Sequence, residues 1–426
     1  MTIKTGLILA GGGARAAYQV GVLQAVAEIL PKEVRQPFPI ITGTSAGAIN
    51  ALGLAGRPGT FRYRARALAT MWGSLNSESI YRTDAWGVIR NAFDITWGMM
   101  LPSRGRDRAL ALLDNAPLRE LLKDVVQFTH IERAIEHGEL EAIGVVAMNY
   151  STGCSTTFYQ GQAHISPWQR AHRRSVSCRL DVEHLLASSA LPTLFPATRI
   201  GSDYFGDGAL RQTRPLSSAI HLGADRLFII GVNETGPDSG TDATADESAE
   251  RVPPTIPQVL GQMLNAVFLD SIETDLESLT RINALVEQLN ARRLDAAGLP
   301  EMRIIDTITI SPSRSLAAVA RDYIHELPRS MRWFLKRTGS IKETGSGGAL
   351  SYILFEQGYC QRLIELGYAD ALALSQDIRA FFDLNPEQSG RRQTPRIDGG
   401  GPVVRKPLNP ITRAWYQVIG KKTRRI

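Results

Sequence analysis

Three cysteines (Cys154, Cys178 and Cys360) in 426 residues are too few and too widely spaced for a disulfide framework or a zinc cluster, so a reducing cytoplasm is the expected home. No apolar run approaches the roughly 18 residues that a membrane-crossing helix requires. The opening MTIKTGLILAGGG has one lysine and only five residues, Gly6–Ala10, before its glycines. That is too short for a signal-peptide core, and no small-residue cleavage site follows. Histidine is scarce as well. The seven residues His130, His137, His164, His172, His184, His221 and His325 stand in no catalytic context, and each reads as a surface or satisfied core residue. No EF-hand loop or acidic ligand cluster is present, which argues against calcium, and neither metal nor cofactor is expected. Internal repeats are missing too.

What remains is an ordinary globular composition, 43% hydrophobic and 21% charged, in a chain long enough for a large core and as many as two domains. The net charge of +6 is unevenly placed. Ten basic residues between Arg391 and Arg425 face a single acid, Asp398, so the rest of the chain is slightly acidic. Such a tail is a solvated arm or an anchor for anionic lipid. Trp415 and Tyr416 beside the basic cluster favour the anchor, because aromatic side chains settle at membrane interfaces. Nothing else in the sequence supports nucleic-acid binding.

The pattern of apolar residues predicts a strand over 6–10, a helix over 16–30 with Val20, Leu23, Val26, Ala27 and Leu30 on one face, a strand over 38–43, and a helix over Ala46–Ala55. Strand and helix alternating within 55 residues predict an α/β fold, a mostly parallel central sheet covered by helices. Two nearly continuous apolar runs, 140–150 and 226–233, read as further buried strands. Residues 61–130 read as helical and aromatic-rich. The aromatic and Met-rich stretch 72–101 suits either an ordinary helical core or the lining or lid of an apolar pocket. An acidic, Pro/Gly/Ser-rich loop covers 236–255. A long amphipathic helix or helix pair follows, with Val259, Met263, Val267, Ile272, Leu276, Leu279, Leu285 and Leu289 at three- and four-residue steps over much of it, then a strand within 302–313 and helices over 350–384. The expected organisation is a catalytic core over 1–235, that loop, a helical and strand extension over 256–385, and the basic tail over 386–426.

Two motifs carry chemistry. Gly11-Gly12-Gly13 follows the first strand, and Gly43-Thr44-Ser45-Ala46-Gly47 joins the second strand to a helix. G-x-S-x-G alone is common in turns. Between a strand and a helix it makes a nucleophile elbow, a sharp turn that presents the Ser45 hydroxyl while small neighbours permit close packing. An elbow serine needs an oxyanion hole, and the glycine loop one strand away supplies backbone amides with no Cβ in the way. The competing reading of Gly11-x-Gly13-x-x-Ala16 is dinucleotide binding. It requires a carboxylate at the end of the second strand, where this sequence has Thr42-Gly43-Thr44-Ser45, and Glu28 and Glu33 come too early. Downstream, Asp207-Gly208 ends a short strand-like segment, after the small-residue stretch ASSALPTLFPA at 187–197. By itself that dipeptide marks only a turn.

Together, GGGARAAYQVGVL, GTSAG, ASSALPTLFPA and DGAL resemble patatin-like phospholipases in order and spacing, over about residues 5–235. The segments LNAVFLDSIETDLESLTRINAL and SYILFEQGYCQRLIELGYADALAL are similar to the C-terminal half of bacterial members. The resemblance implies a three-layer fold with additional C-terminal helices, and a Ser–Asp dyad without histidine. It makes Ser45 the nucleophile, Asp207 the general base, Gly11, Gly12 and Gly13 the oxyanion loop, and Arg15 a headgroup contact. Ala16 departs from the glycine that many members carry there. The implied substrate is a phospholipid or other acyl ester, met by a cytoplasmic enzyme at the inner membrane surface. Two alternatives stay open: a catalytically silent lipid-binding protein of the same fold, and a carboxylesterase for soluble esters. A Ser–His–Asp esterase is disfavoured, since its elbow lies deep in the chain and a late histidine such as His325 would be needed.

Overall fold

The computed structural model describes residues 3–82, 111, 113–192, 194–234, 271–291, 303–328, 332 and 347–384. These lie in one compact unit built from Met1–Thr235 and Asp246–Leu384. The rest of the 72–101 stretch beyond Arg82, the acidic loop over 236–255 and the basic tail over 386–426 lie outside the described residues.

Strands β1 (Thr5–Leu9), β2 (Ile40–Thr44), β3 (Ala142–Asn149), β9 (Arg226–Ile230) and β10 (Asp306–Ile310) form the parallel heart of the sheet in the order β10-β9-β1-β2-β3. Beyond β3 the pairing turns mixed. Strand β4 (Ser155–Gly161) runs antiparallel to β3, β6 (Arg173–Ser177) runs parallel to β4, and β5 (Gln169–Arg170) closes that edge. The hairpin of β7 (Thr198–Ile200) and β8 (Asp203–Asp207) also joins β3, with β8 antiparallel to it.

Alternation along the buried strands splits the core in two. Leu7, Leu9, Phe228 and Ile230 face one layer, whereas Ile8, Leu227 and Ile229 face the other. The first layer holds α1 (Ala17–Ile29), α2 (Ala46–Ala55), α3 (Phe61–Gly73), α4 (Ala116–Val125), α5 (Phe128–Glu136) and α6 (Val182–Ser188). The second holds α7 (Pro215–His221) and α8 (Ser271–Ala291). Helices α9 (Leu316–Asp322), α10 (Gly347–Ile353), α11 (Gln357–Ala373) and α12 (Ser375–Phe381) join the first layer, completing the three-layer α/β/α arrangement.

Two elements differ from the sequence pattern. Helix α1 is buried almost all round, not on one face, because α11 covers the side turned from the sheet. The two backbones approach so closely that a Cβ at Gly21 would strike the carbonyl of Ile364, and one at Gly367 that of Tyr18. On α8 the expected stripe drifts. Leu285 is 59% exposed, and the buried apolar positions are Leu279 and Val286. Between them Asn283 exchanges hydrogen bonds with the backbone of Ile305.

The register places the ends of two strands against each other. Thr44 of β2 lies opposite Val146, and Asp207 of β8 lies opposite the next residue, Ala147. Because β4 occupies the far side of β3 along this stretch, β2 and β8 share the near side and run toward each other. Their meeting ends carry Ser45 and Asp207.

Candidate active site

At that junction Ser45 Oγ donates to Asp207 Oδ2 at 2.6 Å, with both side chains buried. Ser45 has φ 54°, a left-handed conformation that costs a non-glycine residue about 1–3 kcal/mol. Packing around the elbow holds it there. A Cβ at Gly43 would meet the carbonyl oxygen of Gly47 at 2.5 Å, and one at Gly47 would collide with the carbonyl of Leu9. The Ser45 amide donates to Ser188 Oγ at 2.8 Å, and Ser188 Oγ donates to the Val146 carbonyl at 2.6 Å. Ser188 thus fastens the elbow to β3. It sits within the small-residue stretch singled out in the sequence, but nothing there marks it as different from Ser189.

Asp207 is fully buried, and burial pushes its pKa up to about 7 against the opposing hydrogen bonds from Ser45 and the Ala209 amide. That amide reaches Oδ1 at 2.9 Å, and the Asp207 amide donates to the Ala190 carbonyl at 2.9 Å. The residue is therefore fixed through its backbone and through Oδ1, and Oδ2 is kept for the serine. Among the described residues no histidine is hydrogen-bonded to either group. His184 instead pairs with Asp181, the N-cap of α6, whose Oδ1 accepts the Glu183 and His184 amides and lies 2.7 Å from His184 Nδ1. Burial opposes its charge, but Asp181 and Cys178 raise its pKa to about 9.

The glycine loop lies beside the elbow. Gly13 has φ 53°, and among the described residues the amides of Gly11, Gly12 and Gly13 meet no protein acceptor. A buried polar chain braces the loop from behind. Trp72 Nε1 donates to Asn50 Oδ1 at 2.6 Å, Asn50 Nδ2 donates to Gln19 Oε1 at 2.9 Å and Ala16 O at 3.0 Å, and Gln19 Nε2 donates to Ala10 O at 2.8 Å. Its contacts fix the backbone on both sides of the three glycines. The sequence reading gave none of the three side chains this role: Gln19 lies in the glycine-loop motif and Trp72 opens the aromatic stretch, but nothing there marks them as a brace.

An apolar cavity of about 550 Å³, its open mouth included, borders Ser45 and Gly13. Ile49, Met71, Trp72, Leu75, Leu118 and Phe355 are among its walls, so the described start of the aromatic stretch does border the site. Arg15 does not open toward this cavity. It is 5% exposed and hydrogen-bonded to Ser351 and Asn233.

The sequence model of patatin-like phospholipases matches residues 7–220, half of the chain, from β1 into α7. The chain belongs to the patatin-like phospholipase family. Both the glycine loop and the Ser45–Asp207 pair fall inside the matched segment. Two bacterial proteins named cGAMP-activated phospholipase are similar to this family member. That of Pseudomonas aeruginosa is 31% identical over 218 residues, covering 50% of this chain and 55% of that protein. That of Escherichia coli is 27% identical over 223 residues, covering 49% and 52%. The match spans about half the length of these curated relatives. Among solved structures, the human GIVD cytosolic phospholipase A2 covers 90% of this chain and 61% of its own, at 12% identity and a TM-score of 0.40. Among the described residues no helix is long and apolar enough to cross a membrane.

Proposed function

We propose that this patatin-like protein is a serine acyl hydrolase of the phospholipase A or lipid esterase type. The observation that carries the reading is the 2.6 Å hydrogen bond from Ser45 Oγ to a buried Asp207, made at the wall of an apolar cavity. In the proposed mechanism Ser45 Oγ attacks the ester carbonyl as its proton passes to Asp207 Oδ2. The amides of Gly11, Gly12 and Gly13 receive the oxyanion, helped by the first amides of α2. Asp207 returns the proton to the departing alkoxide, leaving an acyl-serine. Water then attacks the acyl group, giving its proton to Asp207, which passes it to Ser45 Oγ as the acyl–serine bond breaks and the fatty acid leaves. The cavity accommodates the acyl chain and keeps water from the carboxylate. We assign catalysis to 1–235, with 256–385 completing the sheet and the cavity wall.

Basicity fixes the expected pH dependence. Asp207 accepts a proton only as the carboxylate, and its pKa is raised to about 7 by burial. kcat/KM on a soluble p-nitrophenyl ester is therefore expected to rise through pH 7 and level off above it. A rate that stays flat from pH 5 to 9 contradicts the assignment.

The ten basic residues beyond Gln388 are proposed to draw the enzyme to anionic lipid at the cytoplasmic face of the membrane. The names of the two relatives add a regulatory reading: this chain too is proposed to respond to cGAMP. The test is product analysis on mixed anionic liposomes, with and without cGAMP, comparing the wild type with Ser45→Ala. Released fatty acid and lysophospholipid that vanish in Ser45→Ala are expected. Activity on soluble esters alone points to a general carboxylesterase, and inactivity on both points to a silent lipid-binding protein.

A further inference from the structure

We propose that Arg15 is a positioning residue, which fastens the glycine loop to Ser351 and Tyr352 and thereby sets where the oxyanion amides point. The inference rests on the reading of the glycine loop given above. Arg15 Nε donates to Ser351 Oγ at 2.8 Å and Nη1 donates to Asn233 Oδ1 at 2.8 Å. Its guanidinium carbon stands 4.0 Å from the centroid of the Tyr352 ring. One side chain thus holds α10 at two successive residues, together with the segment that follows β9.

The clasp closes on the loop itself. Gly13 lies so near the Tyr352 carbonyl that any Cβ there would collide with it. The Arg15 amide bonds back to the Gly12 carbonyl at 3.1 Å. Displacement of Tyr352 is therefore felt at Gly13 directly and at Gly12 through Arg15. Tyr352, with Ile353 and Phe355, also walls the cavity beside Ser45, so the same segment touches both the acyl chain's space and the amides. The packing gives the oxyanion loop a support more than 330 residues away in sequence, in a part of the chain with no catalytic motif.

The residue type fits the task. An arginine fork sends two N–H groups to separate acceptors while its planar face lies over an aromatic ring, and a lysine ammonium has neither the rigid fork nor the flat face. Amides in an oxyanion hole act mainly in the transition state, and displacing a catalytic group by about 1 Å can cost on the order of 100-fold.

The experiment compares Arg15→Lys and Ser351→Ala with the wild type on a soluble p-nitrophenyl ester and on phospholipid liposomes. A long-chain trifluoromethyl ketone serves as an analogue whose alkoxide, formed on Ser45, occupies the oxyanion site. The expected result is a fall in kcat of about tenfold or more for Arg15→Lys and a smaller fall for Ser351→Ala. KM should stay within about twofold, and the ketone's Ki should rise in parallel with the loss of kcat. Thermal melting checks the fold, and if Arg15→Lys does not fold, Ser351→Ala decides the matter. Folded variants with unchanged kcat and Ki overturn the proposal. So does a rise in KM on liposomes alone, which assigns Arg15 to a headgroup. Ser45→Ala separates the two readings. If it retains turnover the acyl-hydrolase reading fails, whereas an inactive Ser45→Ala beside an unimpaired Arg15→Lys removes only the clasp.

Discussion

Replacing Asp207 with asparagine is expected to lower kcat on a soluble ester by about 10³–10⁴-fold, a loss of about 4–5 kcal/mol of transition-state stabilisation, without unfolding the protein. Asparagine keeps the volume, and its Oδ1 can still accept the Ala209 amide that Asp207 holds at 2.9 Å. Its amide nitrogen faces Ser45 Oγ but cannot take the proton. The same substitution should leave stability equal or higher at alkaline pH. Asp207 has a folded-state pKa raised to about 7, chiefly by burial. A carboxyl raised in this way favours the folded state most below its ordinary range, and that contribution is lost as pH rises to about 7. Melting at pH 8 should therefore show Asp207→Asn at or above the wild type, and lowering the pH should raise the wild type relative to the variant. An inactive variant that melts normally places the loss in the chemistry. Near wild-type turnover in a folded variant removes Asp207 as the base.

Gly13→Ala is the second large effect, a loss of at least about 100-fold in kcat on soluble esters. Alanine at φ 53° costs about 1–2 kcal/mol from its own backbone, and its Cβ runs into the Tyr352 carbonyl. Relief requires the loop and α10 to separate, which moves the amides away from the carbonyl that Ser45 attacks. Gly12→Ala is the informative contrast. Its Cβ meets Val232 Cγ2 at 2.6 Å, a side-chain methyl, not a backbone oxygen, so a smaller loss is expected. Steady-state kinetics on the two variants checks the order: equal losses contradict the steric ranking, and no loss at Gly13 removes the loop from the mechanism.

Much of the architecture could be read from the chain because the parallel strands are buried on both faces. Apolar runs such as Leu7–Leu9 and Leu227–Ile230 carry no solvent-facing positions to blur them. The antiparallel side was less legible. Strands β4 and β6, STTFYQG and RRSVS, are rich in hydroxyl and basic residues, and their strand character comes from pairing with β3 and with each other. The drift of the α8 stripe was hidden as well, since Asn283 reaches Ile305 only in the folded sheet. For the site, Ser45 and Asp207 stood in motifs whose local turn chemistry is written in their glycines. Their bracing was not. Ser188, Gln19, Asn50, Trp72 and Ser351 are single polar or aromatic residues whose partners lie far along the chain. Arg15 was noticed for its charge beside the loop, but the sequence does not show that its side chain turns to Ser351 and Asn233.

Identification of the residue modified by a long-chain alkyl fluorophosphonate tests the central claim most directly. Peptide mass spectrometry of the inactivated protein should find the phosphonyl group on Ser45, with no label in Ser45→Ala and greatly slowed labelling in Asp207→Asn. Inactivation with the label on any other residue, or undiminished labelling in Asp207→Asn, contradicts the Ser45–Asp207 dyad.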